Sequence, residues 1–135
     1  MIQILKDSNT RPWFFLQTAH TTYGMWVMET GHLEHLYYGE RITVDSQDSS
    51  SCAPLVIQRA FAPGNTCTYD REHPQISMED VCLEVGTLGK GDIREPFLEV
   101  RFDDGSVTSD FTFDSYEVIT LKEREQCLKD SGLPH

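Results

Sequence analysis

The sequence lacks three things, and each absence removes a class of function. Its four cysteines, Cys52, Cys67, Cys82 and Cys127, contain no C-x-x-C pair. Zinc sites usually draw on one such close pair, so no metal, and no other cofactor, is expected. No apolar run approaches the ~20 residues a membrane helix needs, and the start shows no signal-peptide h-region. The expectation is a cytoplasmic chain whose cysteines stay free thiols, since nothing directs it to an oxidising compartment. Basic residues are also scarce: 11 Lys and Arg face 22 Asp and Glu, a formal net charge of -11. A nucleic-acid backbone or an anionic membrane surface would be repelled, which argues against both as partners.

What is present is strand patterning. The 135 residues make about one domain. Leu98, Val100 and Phe102 alternate with Phe97, Glu99 and Arg101 at the period of a β-strand. Asp103-Asp104-Gly105-Ser106 is turn chemistry. The return run sets Val107, Ser109, Phe111 and Phe113 on one face and Thr108, Asp110, Thr112 and Asp114 on the other. The pattern predicts an antiparallel hairpin over 97–114, one side apolar and one polar. Toward the N-terminus, the apolar opening 2–5, the aromatic run 11–18, the segment 21–28 and the segment 33–38 predict a meander of short strands. The turn-forming Gly31 and Gly39 break it.

Less regular stretches separate these. The polar tract between Val44 and Pro54 reads as a mobile loop, and residues 55–61 are either a strand or a helical turn. Residues 78–85 suit a strand after an irregular start. Residues 120–130 form the one convincing helix, with Gly132 and Pro134 as stop signals. The stretch 63–96 is rich in Gly, Pro, Asn, Asp and His and shows no period. A long irregular loop beside a regular hairpin is where function is sought first.

Three segments carry a resemblance: GHLEHLYYGERI (31–42), RAFAPGNTCTYDREHPQISMEDVCLEVGTLGKGDIREPFLEV (59–100) and DGSVTSDFTFDSYEV (104–118). From about Gln17 to Val118 the chain resembles the N-terminal domain of bacterial α-galactosidases of glycoside hydrolase family 36. The resemblance implies an all-β fold. The expected architecture is part of an antiparallel β-sandwich of the galactose-mutarotase-like supersandwich type, forming a single domain over 1–135. A divergent helical tail at 119–135 completes it. In that family two carboxylates about 5 Å apart carry out retaining hydrolysis. They lie on a TIM barrel of about 250 residues, which this chain is too short to hold. No catalytic residue is therefore expected. Asp103-Asp104 and Glu79-Asp80 read as a turn and the start of a strand.

The resemblance also points to a loop that, in an assembly, reaches toward a neighbouring subunit's substrate. The family's Asp falls at Gln58 and its Arg falls near Arg71, so the substrate-proximal candidates are Gln58, Arg59, Asp70, Arg71, Glu72 and His73. The alternative is that Asp70 and Arg71 pin the loop by local hydrogen bonds. Asp92 and Arg94 suit a structural turn beside Gly91 and Pro96, and His32 and His35 are read as structural.

Two functions follow from this. The first is a non-catalytic module of an α-galactosidase. Its partners would be other domains or subunits of that enzyme, or a second copy paired edge to edge in a two-fold dimer. The second is a stand-alone carbohydrate-binding sandwich in which Trp13, Trp26, Tyr37 or Tyr38 stacks on a galactoside. Aromatics interleaved in a core favour the first; two or more exposed together on a concave face favour the second.

Overall fold

The computed structural model describes residues 1–45, 49–56, 68–89, 95–120 and 123. Four strands, β1 (Ile2–Lys6), β2 (Pro12–Gln17), β3 (Thr21–Val27) and β4 (Leu33–Glu40), form one antiparallel sheet in sequence order. The meander read from the sequence is therefore present. Its turns close through local chemistry. The Asp7 Oδ1 accepts the N–H groups of Asn9 and Arg11 (2.8 and 2.9 Å) while its other oxygen holds the Arg11 guanidinium at 2.8 Å. The Thr18 hydroxyl oxygen accepts the N–H groups of His20 and Thr21. Gly31, at φ 84°, completes the turn into β4.

The register decides which side chains share a face. Ile4, Phe14, Met25 and His35 lie opposite one another across the four strands, and Ile2, Leu16, Tyr23 and Tyr38 form the next row on the same face. The other face carries Leu5, Trp13, Phe15 and Trp26. Phe15 is fully buried, and Val44 and Cys52 complete the cluster around it. Trp13 and Trp26 pack with ring centroids 4.8 Å apart. Gly24 fits closely here, because a Cβ at that position would stand 3.0 Å from the Phe15 ring.

Several expectations change. The polar tract is not simply a loop: Ser49–Leu55 is a 3-10 turn. It carries Cys52, 3% exposed, into the core with Leu55 beside it. An i,i+3 apolar pair is enough to dock one turn of tight helix. The strand over 78–85 contracts to a 3-10 turn at Met78–Asp80 and a single bridge from Leu83 to Glu34. Met28, Ile76 and Met78 form a second buried cluster beneath it.

The hairpin over 97–114 is half right. Its turn forms where expected: Gly105 sits at φ 85°, and the Phe102 N–H reaches the Ser106 carbonyl at 2.9 Å. Beyond the turn the two arms do not pair with each other. Leu98 bridges Thr87 and Ser109 bridges Gly89, both in parallel, so residues 86–89 lie between the arms. The face assignment largely survives. Leu98 and Val100 turn inward, as do Ser109 and Phe113, although Phe102 and Phe111 stay about half exposed. Period-2 alternation specifies a face, not a partner.

The fold is thus all-β, with one antiparallel sheet and little helix among the described residues. The predicted helix at 120–130 lies outside them except for Thr120 and Glu123.

Candidate functional site

The loop singled out from the sequence is described from residue 68 onward. Gln58, Arg59, Asp92 and Arg94 lie outside the described residues, as do Cys67 and Cys127. From Tyr69 the chain makes a compact excursion and returns at Ile76. The Tyr69 N–H donates to the Ile76 carbonyl (2.8 Å) and the Ile76 N–H to the His73 carbonyl (3.1 Å). Ile76 is buried in the second cluster, which fixes the loop's exit.

Inside the excursion Asp70 organises the backbone. Its Oδ1 accepts the N–H groups of Glu72 (2.9 Å) and His73 (2.7 Å), an Asx-type turn. The His73 Nδ1 lies 2.9 and 3.0 Å from its two oxygens. Desolvation acts to raise the Asp70 carboxyl, but the hydrogen bonds from His73 and Glu72 outweigh it. The carboxyl is therefore held below its ordinary value. Asp70 is thus engaged within its own loop. Arg71 is exposed and makes no hydrogen bond or ion pair among the described residues, and Glu72 is exposed beside it. Of the six candidates, the structure places Asp70, Arg71, Glu72 and His73 on one turn, with Arg71 as its outward-facing cation.

Of the residues that hold this turn in place, sequence reasoning singled out only His32, read as structural, and named no partner for it. The Tyr69 hydroxyl donates to the Asp110 Oδ2 at 2.8 Å. The Asp110 Oδ1 lies 2.6 Å from the Nε2 of His32, whose Nδ1 lies 2.9 Å from the Thr30 hydroxyl. Desolvation, the Asp110 hydrogen bond and charge, and the nearby Asp70 together push the Tyr69 phenol up to about 12. A parallel connection joins Glu84 to the sheet: it accepts the Tyr23 hydroxyl at 2.5 Å and lies 3.2 Å from the His35 Nδ1. Desolvation and then Glu84 raise Tyr23 to about 12 as well. The one available signal was the polarity of Asp110 and Glu84 in otherwise alternating runs, which names no partner.

A shallow cleft of about 230 Å³ opens beside the loop, lined by Arg11, Trp26, Met28, Glu29, Gln75 and Ile76. Its polar rim is partly occupied, since Gln75 donates to Glu29 at 2.7 Å and Arg11 lies over the Trp26 ring. Of the aromatics weighed for sugar stacking, Trp13 and Trp26 belong to the core, Tyr37 is half-buried and Tyr38 stands exposed. No group of three or more His, Cys, Asp or Glu side chains is arranged to hold a metal among the described residues. None of their helices is long and apolar enough to cross a membrane.

The model of the glycosyl hydrolase family 36 N-terminal domain matches residues 31–135. A bifunctional alpha-galactosidase/sucrose kinase from Mediterraneibacter gnavus is 37% identical over 123 residues, covering 90% of this chain and 12% of the relative. An alpha-galactosidase from Geobacillus stearothermophilus is 26% identical over 122 residues, covering 90% of this chain and 16% of its own. The crystal structure of the alpha-galactosidase from Lactobacillus brevis superposes with a TM-score of 0.67 at 30% identity, covering 84% of this chain and 14% of that one. The chain therefore spans about an eighth to a sixth of the length of the proteins it matches.

Proposed function

The chain belongs to the glycosyl hydrolase family 36 N-terminal domain family, and from that premise we propose that it is a non-catalytic β-module of an α-galactosidase, working in the cytosol. Its role is assembly: it packs against the remaining layers of such an enzyme and offers the turn at residues 70–73 toward the substrate side of a neighbour.

One observation carries this reading. The sheet is covered unequally. The Phe15 face is covered by the chain's own Val44, Cys52, Leu55 and Val56. The opposite face is covered only in part: Phe113 and Tyr116 pack on Phe14 at 6.0 and 5.1 Å, and Glu84 reaches Tyr23 and His35. On the same face Ile2 is 52% exposed, Leu16 38% and Tyr38 71%. A sheet needs a second layer over an apolar face, and exposed apolar side chains on both sides of the half-buried Tyr23 mark where one docks. The occupant that fits is further β-structure of the α-galactosidase, because the relatives continue far beyond the matched portion.

Pairing with a second copy is the competing arrangement, and β1 is the strand placed for it as the sheet's outer strand. The edge of β4 is already partly used: the His35 N–H donates to the Cys82 carbonyl and the Glu84 N–H to the Leu33 carbonyl. The carbohydrate-binding alternative is weakened by the two tryptophans, which serve the core.

The test is an assay of the chain alone at high concentration on an aryl α-galactoside. No release above the spontaneous rate is expected. Turnover abolished by a point substitution in this chain would overturn the proposal.

A further inference from the structure

We infer that Tyr69, Asp110 and His32 act as a positioning clamp that fixes the Asp70–His73 turn and thereby presents Arg71 outward in a set orientation. The inference deepens the proposed function, and it rests on that reading only for what Arg71 meets, not for the clamp itself.

The clamp joins three parts of the chain that are distant in sequence. His32 comes from the turn between β3 and β4 and is 2% exposed. Asp110 comes from the arm after Gly105, and Tyr69 opens the loop. Asp110 bridges the other two, with one oxygen on each. The Tyr69 ring meets the His32 ring edge-on at a centroid distance of 5.0 Å, so the phenol is held by packing as well as by its hydroxyl. The His32 Nδ1 lies against the Thr30 hydroxyl, which fixes the ring's rotation. An imidazole held at both nitrogens and buried on its faces is a rigid anchor.

The anchor's effect passes through one residue. Tyr69 is adjacent to Asp70, whose carboxylate shapes the next three residues. Fixing Tyr69 therefore fixes the turn at one end, while buried Ile76 fixes it at the other. Between these two pins Arg71 is exposed, with no ion pair among the described residues, in a chain of net charge -11. A guanidinium on a pinned turn loses less entropy when it engages a partner than one on a free loop.

The experiment uses the chain alone. Trypsin cleaves after Arg71 only when the turn opens, and the exposed Arg101 in the opposite arm is the internal control. Tyr69→Phe removes one hydroxyl and keeps the ring. It should speed cleavage at Arg71 roughly five- to tenfold, the change in opening equilibrium one hydrogen bond carries, with Arg101 unchanged. His32→Gln, which keeps an amide donor for Asp110, should restore much of the protection that His32→Ala loses. Asp110→Asn should bring one late-ionising tyrosine back toward its ordinary pKa in an alkaline absorbance titration, a signature a general packing defect does not produce. Unchanged cleavage at Arg71 in Tyr69→Phe overturns the clamp, and so does equal acceleration at Arg71 and Arg101. If Tyr69→Phe does not fold, cleavage at Arg71 against Arg101 in Asp110→Asn decides in its place. A failure of the α-galactosidase reading would leave all of these outcomes in place.

Discussion

Residues 1–45 and residues 68–120 are built on different principles. The first region is a regular ladder: each strand pairs with the next one in sequence, and in the first two turns a side chain bonds the turn's own backbone. The second region has no strand of its own among the described residues, only isolated bridges. It is tied to the first by side chains at long range: Tyr23 to Glu84, His35 to Glu84, His32 to Asp110. Backbone bonds from Glu84 to Leu33 and from Phe113 to Gly31 add to these. A ladder distributes its stability over many equivalent contacts, whereas a strapped segment concentrates it in a few. Substitutions should therefore act broadly in the first region and locally in the second.

The largest effect expected is at the centre of the ladder. Phe15→Ala should cost about 3–5 kcal/mol in urea unfolding and loosen both regions together, since the second region hangs on the sheet. A smaller and confined loss would mean that the strapped region stands independently. Gly24→Ala should destabilise in the same direction, because its new Cβ would press on the Phe15 ring.

Glu84→Ala comes next. It removes the acceptor of the Tyr23 hydroxyl and the partner of His35, and should cost about 1–3 kcal/mol. Amide exchange should quicken at 82–89 and stay unchanged in β2. Equal acceleration in β2 would erase the distinction between the regions.

Alkaline pH probes the same straps without substitution. Tyr23 and Tyr69 ionise near 12 in the folded chain, above the ordinary 10.0. A raised folded value means that their contribution is complete below pH 10 and is lost as the pH climbs through about 12. Absorbance titration should show two of the five tyrosines ionising late, with the late phase reduced in Tyr23→Phe and in Tyr69→Phe. At the acid end Asp70 behaves oppositely. Its lowered carboxyl contributes above the ordinary value of 3.8 and loses that contribution as pH falls through its folded value.

The smallest effect is expected at Arg71. Arg71→Ala should change stability by no more than about 0.5 kcal/mol, because the side chain is exposed and unpaired among the described residues. A larger loss would show that the residue pins the loop after all.

The all-β class, the meander and the turns at Gly31 and Gly105 were legible in the sequence, because each depends on neighbours within a few residues. Periodicity there names both the strand and its partner, since the next strand is the nearest available. The candidate turn was legible as a polar cluster, and Asp70 as its organiser was one of two readings left open. Which arm pairs with residues 86–89 could not be read. Leu98 and Ser109 each alternate correctly for a hairpin, and the competing backbone at Thr87 and Gly89 leaves no mark in either pattern. Cys52 looked like part of a polar tract until the sheet supplied a cavity for it. His32, Asp110 and Tyr69 are ordinary residues in three separate segments, and only the packing of the second region on the sheet brings them within hydrogen-bond distance. Local sequence determined which backbone could turn and which face was apolar. Tertiary structure decided which polar groups met, because a buried polar group such as the His32 imidazole is satisfied by whatever partner the fold carries to it, however far away in the chain that partner began.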